Sequence, residues 1–177
     1  SRKQEQPSGH LRVFAPAEFF GPHFDNLMPR FALRYPAVKL ELFSGGGHQD
    51  ILNGRMDVMV HVSAPSDSSL IARKITEVST DFYASPGYIA QHGPLQHPLE
   101  LLDHCCIVET PNPSATGYPW QYRENGKIHN LAIQARYMAD STYLCQSMVE
   151  HGIGISVLPN FATGDGIERG RLLKLFN

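Results

Sequence analysis

The sequence lacks any long hydrophobic run. No apolar stretch in it approaches the roughly 20 residues that a membrane-spanning helix needs. Residues 1–9 are polar and lack the apolar core of a signal peptide, so we interpret them as a residual linker that leads into the first strand. The 177 residues suffice for one domain or for two small lobes.

Neither sign of charge is in marked excess. The formal net charge is −2 and the sequence pI is about 6.5, which leaves no electrostatic basis for binding nucleic acid. A DNA-binding module, if the protein has one, is therefore expected to lie outside this sequence.

Cysteine is scarce as well. The three cysteines are Cys105, Cys106 and Cys145, and an odd number with two adjacent members is a poor disulfide framework. This usage favours a reducing cytoplasm. A redox sensor is the functional alternative, but residues 105–108 have the pattern of a buried strand, which favours cysteines that act as small apolar side chains.

Motifs for catalysis and metal binding are also missing. The nine histidines show no HxxxH or HExxH spacing, and the sequence contains no CxxC pair. Ser156 lies in a predicted strand and outside any GxSxG motif, and residues 45–47 lack the lysine of a P-loop. Glu109 and Asp140 follow predicted strands, but sequence alone does not pair them. We therefore expect no catalytic residue, no metal and no cofactor.

What the sequence does contain, near its start, is a strand–helix–strand pattern. Residues 10–16 and 38–43 alternate like strands, and residues 20–35 carry an apolar stripe at helical spacing. Pro36 ends that helix, because the residue before a proline avoids the α region. The pattern predicts a βαβ unit with a parallel sheet, and hence an α/β fold.

The rest of the chain is predicted to alternate strands and helices around one polar, turn-rich break at residues 63–69, which suggests a crossover between two lobes. Asn125-Gly126 predicts a hairpin turn, and Gly164 and Gly166 suggest a broken helix. The strands are predicted at residues 56–62, 71–76, 80–84, 105–108, 132–138, 153–158 and 172–176, the hairpin at 120–128, and the helices at 48–53, 86–91, 98–102, 141–151 and 161–169.

Candidate binding residues follow from the strand directions. Ligands of parallel α/β sheets bind at the carboxyl ends of the strands, where Glu18, Ser44 and His61 are placed. Glu18 is also explained as a charge near a helix N-terminus, Ser44 as part of a turn, and His61 as a buried histidine. Ser141 and Thr142 begin a helix, where capping and a ligand contact are both open.

Ordered sequence patterns over nearly the whole chain resemble the effector-binding domain of LysR-type transcriptional regulators. They lie at residues 10–16, 31–43, 57–62, 67–74, 84–93, 97–102, 152–159 and 170–173. The weakest stretch is 110–133. No single pattern is decisive, but their order is specific.

The resemblance implies a two-lobed α/β fold of the periplasmic-binding-protein type (type 2), with a small-molecule effector in a cleft between the lobes. Lobe I is expected at residues 10–61 plus about 158–177, with its C-terminal part either complete or truncated, and lobe II at about 66–157. It implies effector contacts at Glu18, Phe19, Ser44, Gly45, His61, Val62, Ser63, Asp140, Ser141 and Thr142. These residues include no Arg or Lys, which disfavours a strongly anionic effector.

The resemblance also implies partners. Such domains form homodimers or homotetramers, and an N-terminal winged helix-turn-helix, which precedes this sequence, binds the DNA. Two alternatives stay open: a solute-binding protein of a transporter, which shares the fold, and an enzyme built on the same fold. We expect a cytoplasmic regulator without membrane contact.

Overall fold

A computed structural model describes residues 6–44, 48–62, 70–110 and 118–176. The chain divides into two compact units, which we call unit 1 (Ser1–Ile75) and unit 2 (Thr76–Asn177).

Unit 1 is a small parallel α/β arrangement. Its sheet has the strand order β2-β1-β3, and β1 pairs in parallel with both neighbours. The predicted βαβ unit is therefore confirmed. The elements are β1 (Gly9–Phe14), a 3-10 helix (Ala17–Phe19), α1 (Pro22–Arg34), β2 (Val38–Phe43), α2 (His48–Leu52) and β3 (Val58–Met59).

The ends of α1 follow from local chemistry. Pro22 opens the helix, where a missing N–H removes no hydrogen bond, and the Tyr35 amide closes it on the Phe31 carbonyl at 2.9 Å. Pro29 lies inside the helix. The third strand, predicted over 56–62, is confined to Val58–Met59, and among the described residues it lies at the edge of the sheet. Val58 in this strand is 45% exposed.

Unit 2 contains the remaining strands and helices. Strand β4 lies between β10 and β9 in one antiparallel sheet, β5 and β8 pair in parallel, and β6 and β7 form a hairpin. The elements are β4 (Thr80–Ala84), α3 (Pro86–His92), a 3-10 helix (Pro98–Asp103), β5 (Cys106–Glu109), β6 (Tyr118–Glu124), β7 (Lys127–Ile133), β8 (Ala135–Ala139), α4 (Thr142–Glu150), β9 (Ser156–Pro159), α5 (Asn160–Glu168) and β10 (Leu173–Lys174).

The predicted hairpin is confirmed, and its turn is the predicted one. Asn125 and Gly126 both have positive φ, 49° and 76°, as the tight turn between β6 and β7 requires. The strand predicted over 132–138 is instead two strands, because β7 ends at Ile133 and β8 starts at Ala135 in a different sheet.

Two further predictions differ from the structure. Residues 71–79 form no strand, and Ile71 and Ile75 are exposed at 102% and 82%. The predicted break is absent, because α5 runs continuously through Gly164 and Gly166. Gly166 is buried where α5 packs on Leu172, and a Cβ at this position would lie 2.6 Å from Leu172 Cδ1.

The end of the chain also lies elsewhere than expected. Residues from about 158 onward were expected to rejoin the first lobe, whereas β9 and β10 both pair with β4 inside unit 2. Leu158 and Leu172 are buried in one apolar cluster with Tyr83 and Ile107. A second cluster in unit 2 includes Phe82, Trp120 and Ile155.

Candidate ligand-binding site

In unit 1, the three parallel strands end side by side. Phe14 at the end of β1 pairs with Phe43 of β2 and with Met59 of β3. The Ala15 amide donates to the Phe43 carbonyl at 3.0 Å, and the Val60 amide donates to the Phe14 carbonyl at 2.8 Å. The residues that follow these strands therefore emerge from one edge of the sheet, which we call the unit 1 carboxyl edge.

The predicted residues of unit 1 lie along this edge. Glu18 and Phe19 form part of the 3-10 helix after β1 and are half-buried, while Ser44 directly follows β2 and is exposed. His61 and Val62 come after β3 and are exposed, with Val62 at 61%. The structure thus brings the ends of the three strands together. Gly45 and Ser63, which the sequence also assigned to the site, lie outside the described residues.

In unit 2, the corresponding edge is formed by β5, β8 and the start of α4. Strands β5 and β8 end in register, with Glu109 opposite Ala139, and the Thr110 amide donates to the Ala139 carbonyl at 2.8 Å. Asp140 follows β8 directly and is exposed. We call this the unit 2 carboxyl edge.

The first turn of α4 is held by two side chains of the predicted site. The Ser141 hydroxyl oxygen accepts a hydrogen bond from the Leu144 amide at 3.3 Å, so the predicted cap is confirmed. Thr142 is 2% exposed, and its hydroxyl donates to Glu109 Oε1 at 2.8 Å. Thr142 therefore anchors the edge internally, and a direct role in ligand contact stays a prediction.

Glu109 was not among the predicted site residues, although it lies at the unit 2 carboxyl edge. It is the last residue of β5, and Asp140 is the first residue after β8. The rule that ligands bind at the carboxyl ends of parallel strands could therefore have selected Glu109 as well as Asp140. Its hydrogen-bond partner Thr142 lies 33 residues away in sequence, so no local pattern relates the two residues. The charges of Glu109 and Asp140 also act on the nearby Cys145 thiol: burial is the main cause that raises its pKa to about 11, and the two carboxylates raise it further.

Two of the three cysteines lie within apolar clusters. Cys106 and Cys145 are buried, and burial raises the pKa of Cys106 to about 12. Cys105 is only partly buried, and burial raises its pKa as well. Thiols with raised pKa values react slowly, which agrees with the packing role expected from sequence.

Other kinds of site find no support within the described residues. No cluster of three or more His, Cys, Asp or Glu side chains there is arranged to hold a metal ion. The Ser156 hydroxyl is buried and donates to the Ile107 carbonyl at 2.8 Å, which is a structural role. None of the helices in these same ranges has both the length and the apolar character to span a membrane.

Polar residues gathered at the carboxyl ends of parallel strands and at a helix start are typical of α/β domains that bind small molecules. The family model described as the LysR substrate binding domain matches residues 4–176. The chain therefore belongs to the LysR substrate-binding domain family, as the resemblance implied.

Individual relatives agree. The chain is 31% identical over 172 residues to the HTH-type transcriptional regulator PtxR of Pseudomonas aeruginosa, covering 97% of this chain and 54% of PtxR. The solved structure of CrgA, a LysR-type transcriptional regulator from Neisseria meningitidis, matches with a TM-score of 0.83 at 28% identity, over 97% of this chain and 57% of that one. Full-length AphB, a virulence activator of Vibrio cholerae, matches with a TM-score of 0.82 at 28% identity, over 96% and 57% of the two chains.

These neighbours have the two-lobed periplasmic-binding-protein-like α/β fold, and the chain shares it. The relatives are transcriptional regulators, so the enzyme and the transporter solute-binding protein are not favoured. The chain spans between 54% and 58% of the length of the first curated relatives that it matches.

Proposed function

We propose that this chain is the ligand-sensing part of a cytoplasmic LysR-type transcriptional regulator. A small-molecule effector binds between the two lobes, in contact with the unit 1 and unit 2 carboxyl edges. Binding changes the relative stability of two closure states, and a winged helix-turn-helix elsewhere in the protein transmits that change to DNA. A coupling free energy of about 1–3 kcal/mol suffices for such a switch.

The observation that carries this proposal is the in-register ending of β1, β2 and β3, because it gathers Glu18, Ser44 and His61 along one edge. The unit 2 carboxyl edge supports it independently with a capped helix start at Ser141. Helix starts and strand ends supply backbone N–H donors to a ligand without needing Arg or Lys. Glu18, Glu109 and Asp140 make these edges acidic, so we expect a neutral or cationic effector group there.

A bulky substitution at Ser44 tests the site. Ser44 is exposed and follows β2, so Ser44→Phe should fill space at the edge without disturbing the core. The matched control is Ser8→Phe, which places the same side chain at an exposed serine just before β1, at the opposite edge of the same sheet. A thermal-shift screen of defined central metabolites first finds compounds that stabilise the wild-type chain.

At a concentration 100 times Kd, a binding compound stabilises the folded chain by about 2.7 kcal/mol. We expect Ser8→Phe to retain this stabilisation and Ser44→Phe to lose it. In the full-length regulator, Ser44→Phe should still bind DNA and should no longer respond to that compound. If a folded Ser44→Phe chain binds it with wild-type affinity, the site as proposed is wrong.

The chain by itself is not expected to bind DNA. Its net charge of −2 supplies no surface that neutralises phosphates, and affinity for duplex DNA depends on such neutralisation. A mobility-shift assay at physiological salt should show no complex for the 177-residue chain, and a complex for the full-length regulator. Salt-sensitive binding of DNA by the chain alone would contradict the proposal that another part of the regulator binds the DNA.

Self-association is part of the same proposal. LysR-type regulators form oligomers, and α1 and α4 carry exposed apolar side chains that suit a partner copy: Leu27 at 52%, Leu33 at 83% and Leu144 at 53%. Val149 of α4 is fully buried in unit 2 and is not part of this surface. Sedimentation of wild type and Leu33→Asp at tens of micromolar, on the order of weak-dimer affinities, should show a dimer only for wild type.

A further inference from the structure

An open cavity of about 480 Å³ lies on unit 2, away from the unit 2 carboxyl edge. Its volume falls in the range of roughly 300–1,000 Å³ that is typical of small-molecule pockets. The residues that line it include Tyr88, Asp103, Cys105, Arg136, Tyr137 and Ile153.

The cavity lies at the amino ends of the strands whose carboxyl ends form the unit 2 carboxyl edge. Cys105 directly precedes β5, and Arg136 is the second residue of β8. Because β5 and β8 are parallel, their starts and ends mark opposite edges of the pair. The cavity is therefore distinct from the effector site proposed above, and a result at one does not decide the other.

One wall of the cavity is held rigidly. The Tyr88 ring stacks on the His92 ring with centroids 4.1 Å apart, and its hydroxyl accepts a hydrogen bond from the Cys105 amide at 3.2 Å. The same hydroxyl lies 3.1 Å from His104 Nδ1. A preformed wall lowers the ordering cost that a bound ligand must overcome.

Two opposite charges line this cavity without pairing. Among the described residues, neither the Asp103 carboxylate nor the Arg136 guanidinium has an oppositely charged side chain within 4.0 Å. Arg136 lies only over the ring of its neighbour Tyr137, at 5.9 Å. Helix α4 ends at Glu150, and Gly152 and Ile153, which follow its C-cap His151, line the cavity. The C-terminal end of a helix favours positive charge.

We propose that this cavity binds a small zwitterion, namely an α-amino acid with an apolar side chain. Arg136 receives the carboxylate, for which a guanidinium offers two parallel donors. Asp103 and the end of α4 receive the ammonium group. The apolar side chain packs on Tyr137 and Ile153. A ligand that carries only one of the two charges leaves the other side chain of the cavity unpaired.

Three probes that differ only in charge test this assignment on the full chain. L-Phenylalanine carries both charges, 3-phenylpropionate only the carboxylate, and 2-phenylethylamine only the ammonium group. Two readouts report on the cavity itself. The first is the NMR shift of the Ile153 methyl groups. The second is protection of Cys105 from prolonged exposure to iodoacetamide at about pH 8.5, because burial raises the pKa of this thiol and slows its reaction. Cys106 and Cys145 are buried, so intact mass should follow Cys105 alone.

Two charge-removing variants and two controls complete the experiment. Arg136→Gln and Asp103→Asn each remove one charge from the cavity, whereas Arg123→Gln and Glu168→Gln remove the same charges from exposed positions elsewhere in unit 2. Trp120 fluorescence checks that every variant folds, since this side chain is 8% exposed.

We expect L-phenylalanine to shift Ile153 and protect Cys105, and each single-charge analogue to bind at least ~10-fold more weakly. Each cavity variant should weaken L-phenylalanine by a similar factor, and the controls should not. Equal binding of the three probes, unchanged affinity in Arg136→Gln and Asp103→Asn, or no effect of L-phenylalanine at millimolar concentration would each overturn the proposal.

Discussion

The two units of this chain differ in how much apolar surface each buries within itself. Of the buried apolar side chains among the described residues, eighteen lie in unit 2, whereas Val13, Phe14 and Ala15 lie in unit 1. Both large apolar clusters belong to unit 2 as well. Since burial of apolar area is the dominant favourable contribution to folding, unit 2 has the stronger internal driving force.

Ion pairs near the surface occur in both units, and in unit 1 they connect β1 with β2 and with the residue before β3. The Arg12 guanidinium donates to Asp57 from Nε at 3.1 Å and from Nη2 at 2.8 Å, and the Arg12 amide donates to the same carboxylate at 2.8 Å. Glu41 on β2 meets His10 on β1 at 2.8 Å. Exposed pairs of this kind contribute little stability individually, so unit 1 is the more easily perturbed half.

This difference suits a sensor. The unit that carries the unit 1 carboxyl edge has few buried apolar contacts, and elements that respond to ligands are drawn from the less stable parts of proteins. Unit 2, with the larger buried core, is expected to resist perturbation more strongly than unit 1.

The largest contrast is between two leucines. Leu158 is fully buried in unit 2, whereas Leu33 on α1 in unit 1 is 83% exposed. Leu158→Ala should lower the free energy of unfolding by about 3 kcal/mol, because it removes buried apolar groups and leaves a cavity. At concentrations low enough to dissociate the proposed dimer, Leu33→Ala should change it by less than about 0.5 kcal/mol.

Urea unfolding followed by Trp120 fluorescence measures the effect in unit 2, and circular dichroism follows the whole chain. A loss at Leu33 as large as that at Leu158 would contradict the view that unit 1 relies little on apolar burial.

The next contrast lies within helix α5 of unit 2 and separates packing from helix propensity. A Cβ at Gly166 would lie 2.6 Å from Leu172 Cδ1 and 2.8 Å from Glu150 Oε1, while a Cβ at Gly164 meets nothing within 4 Å. Gly166→Ala should therefore destabilise by about 1–3 kcal/mol through overpacking. Gly164→Ala should stabilise by up to about 1 kcal/mol, because alanine favours the helix.

Thermal unfolding of the two variants beside wild type checks the opposite signs. If both substitutions stabilise the chain, α5 packs less tightly on unit 2 than the structure indicates.

The smallest contrast concerns acid. Hydrogen bonds from Arg12 lower the pKa of Asp57 in unit 1 to about 2, below its ordinary 3.8. The folded state therefore binds this proton less readily than the unfolded state, so the stabilisation is present above about pH 4 and is lost as the pH falls towards 2. Asp57→Asn should remove this part of the pH dependence.

In unit 2, burial and the neighbouring His92 lower the pKa of His104 below its ordinary 6.5. The unfolded state then takes up the proton first, so stability should fall as the pH decreases through 6.5. His104→Gln should flatten that step and leave the acid step of Asp57 in place. Urea midpoints between pH 8 and 2.5 (about the range of ordinary His and Asp titration) separate the two steps, and a single shared transition would contradict them.

Local rules predicted much of this fold. Asn125-Gly126 suffices for a two-residue hairpin turn, Pro36 ends a helix by excluding its predecessor from the α region, and Ser141 caps a helix with its own hydroxyl. The unit 1 carboxyl edge also followed from the sequence, since strand direction determines where Glu18 and Ser44 emerge.

Predictions that depend on contacts between residues far apart in the sequence were less successful. The pattern over 71–76 resembles a strand, but no partner strand pairs with it. Two glycines suggested a broken helix, but one of them allows close packing on Leu172. The hydrogen bond from Thr142 to Glu109 joins residues that periodicity cannot relate.

The sequence by itself determined most of the elements, their order and the family, because helix stripes, turn dipeptides and caps depend on residues a few positions apart. Only the tertiary structure decided which strand lies at an edge, that residues after 158 pack with β4, and that Asp103 and Arg136 line one cavity. These features depend on contacts between residues far apart in the chain, and each position alone is compatible with several partners.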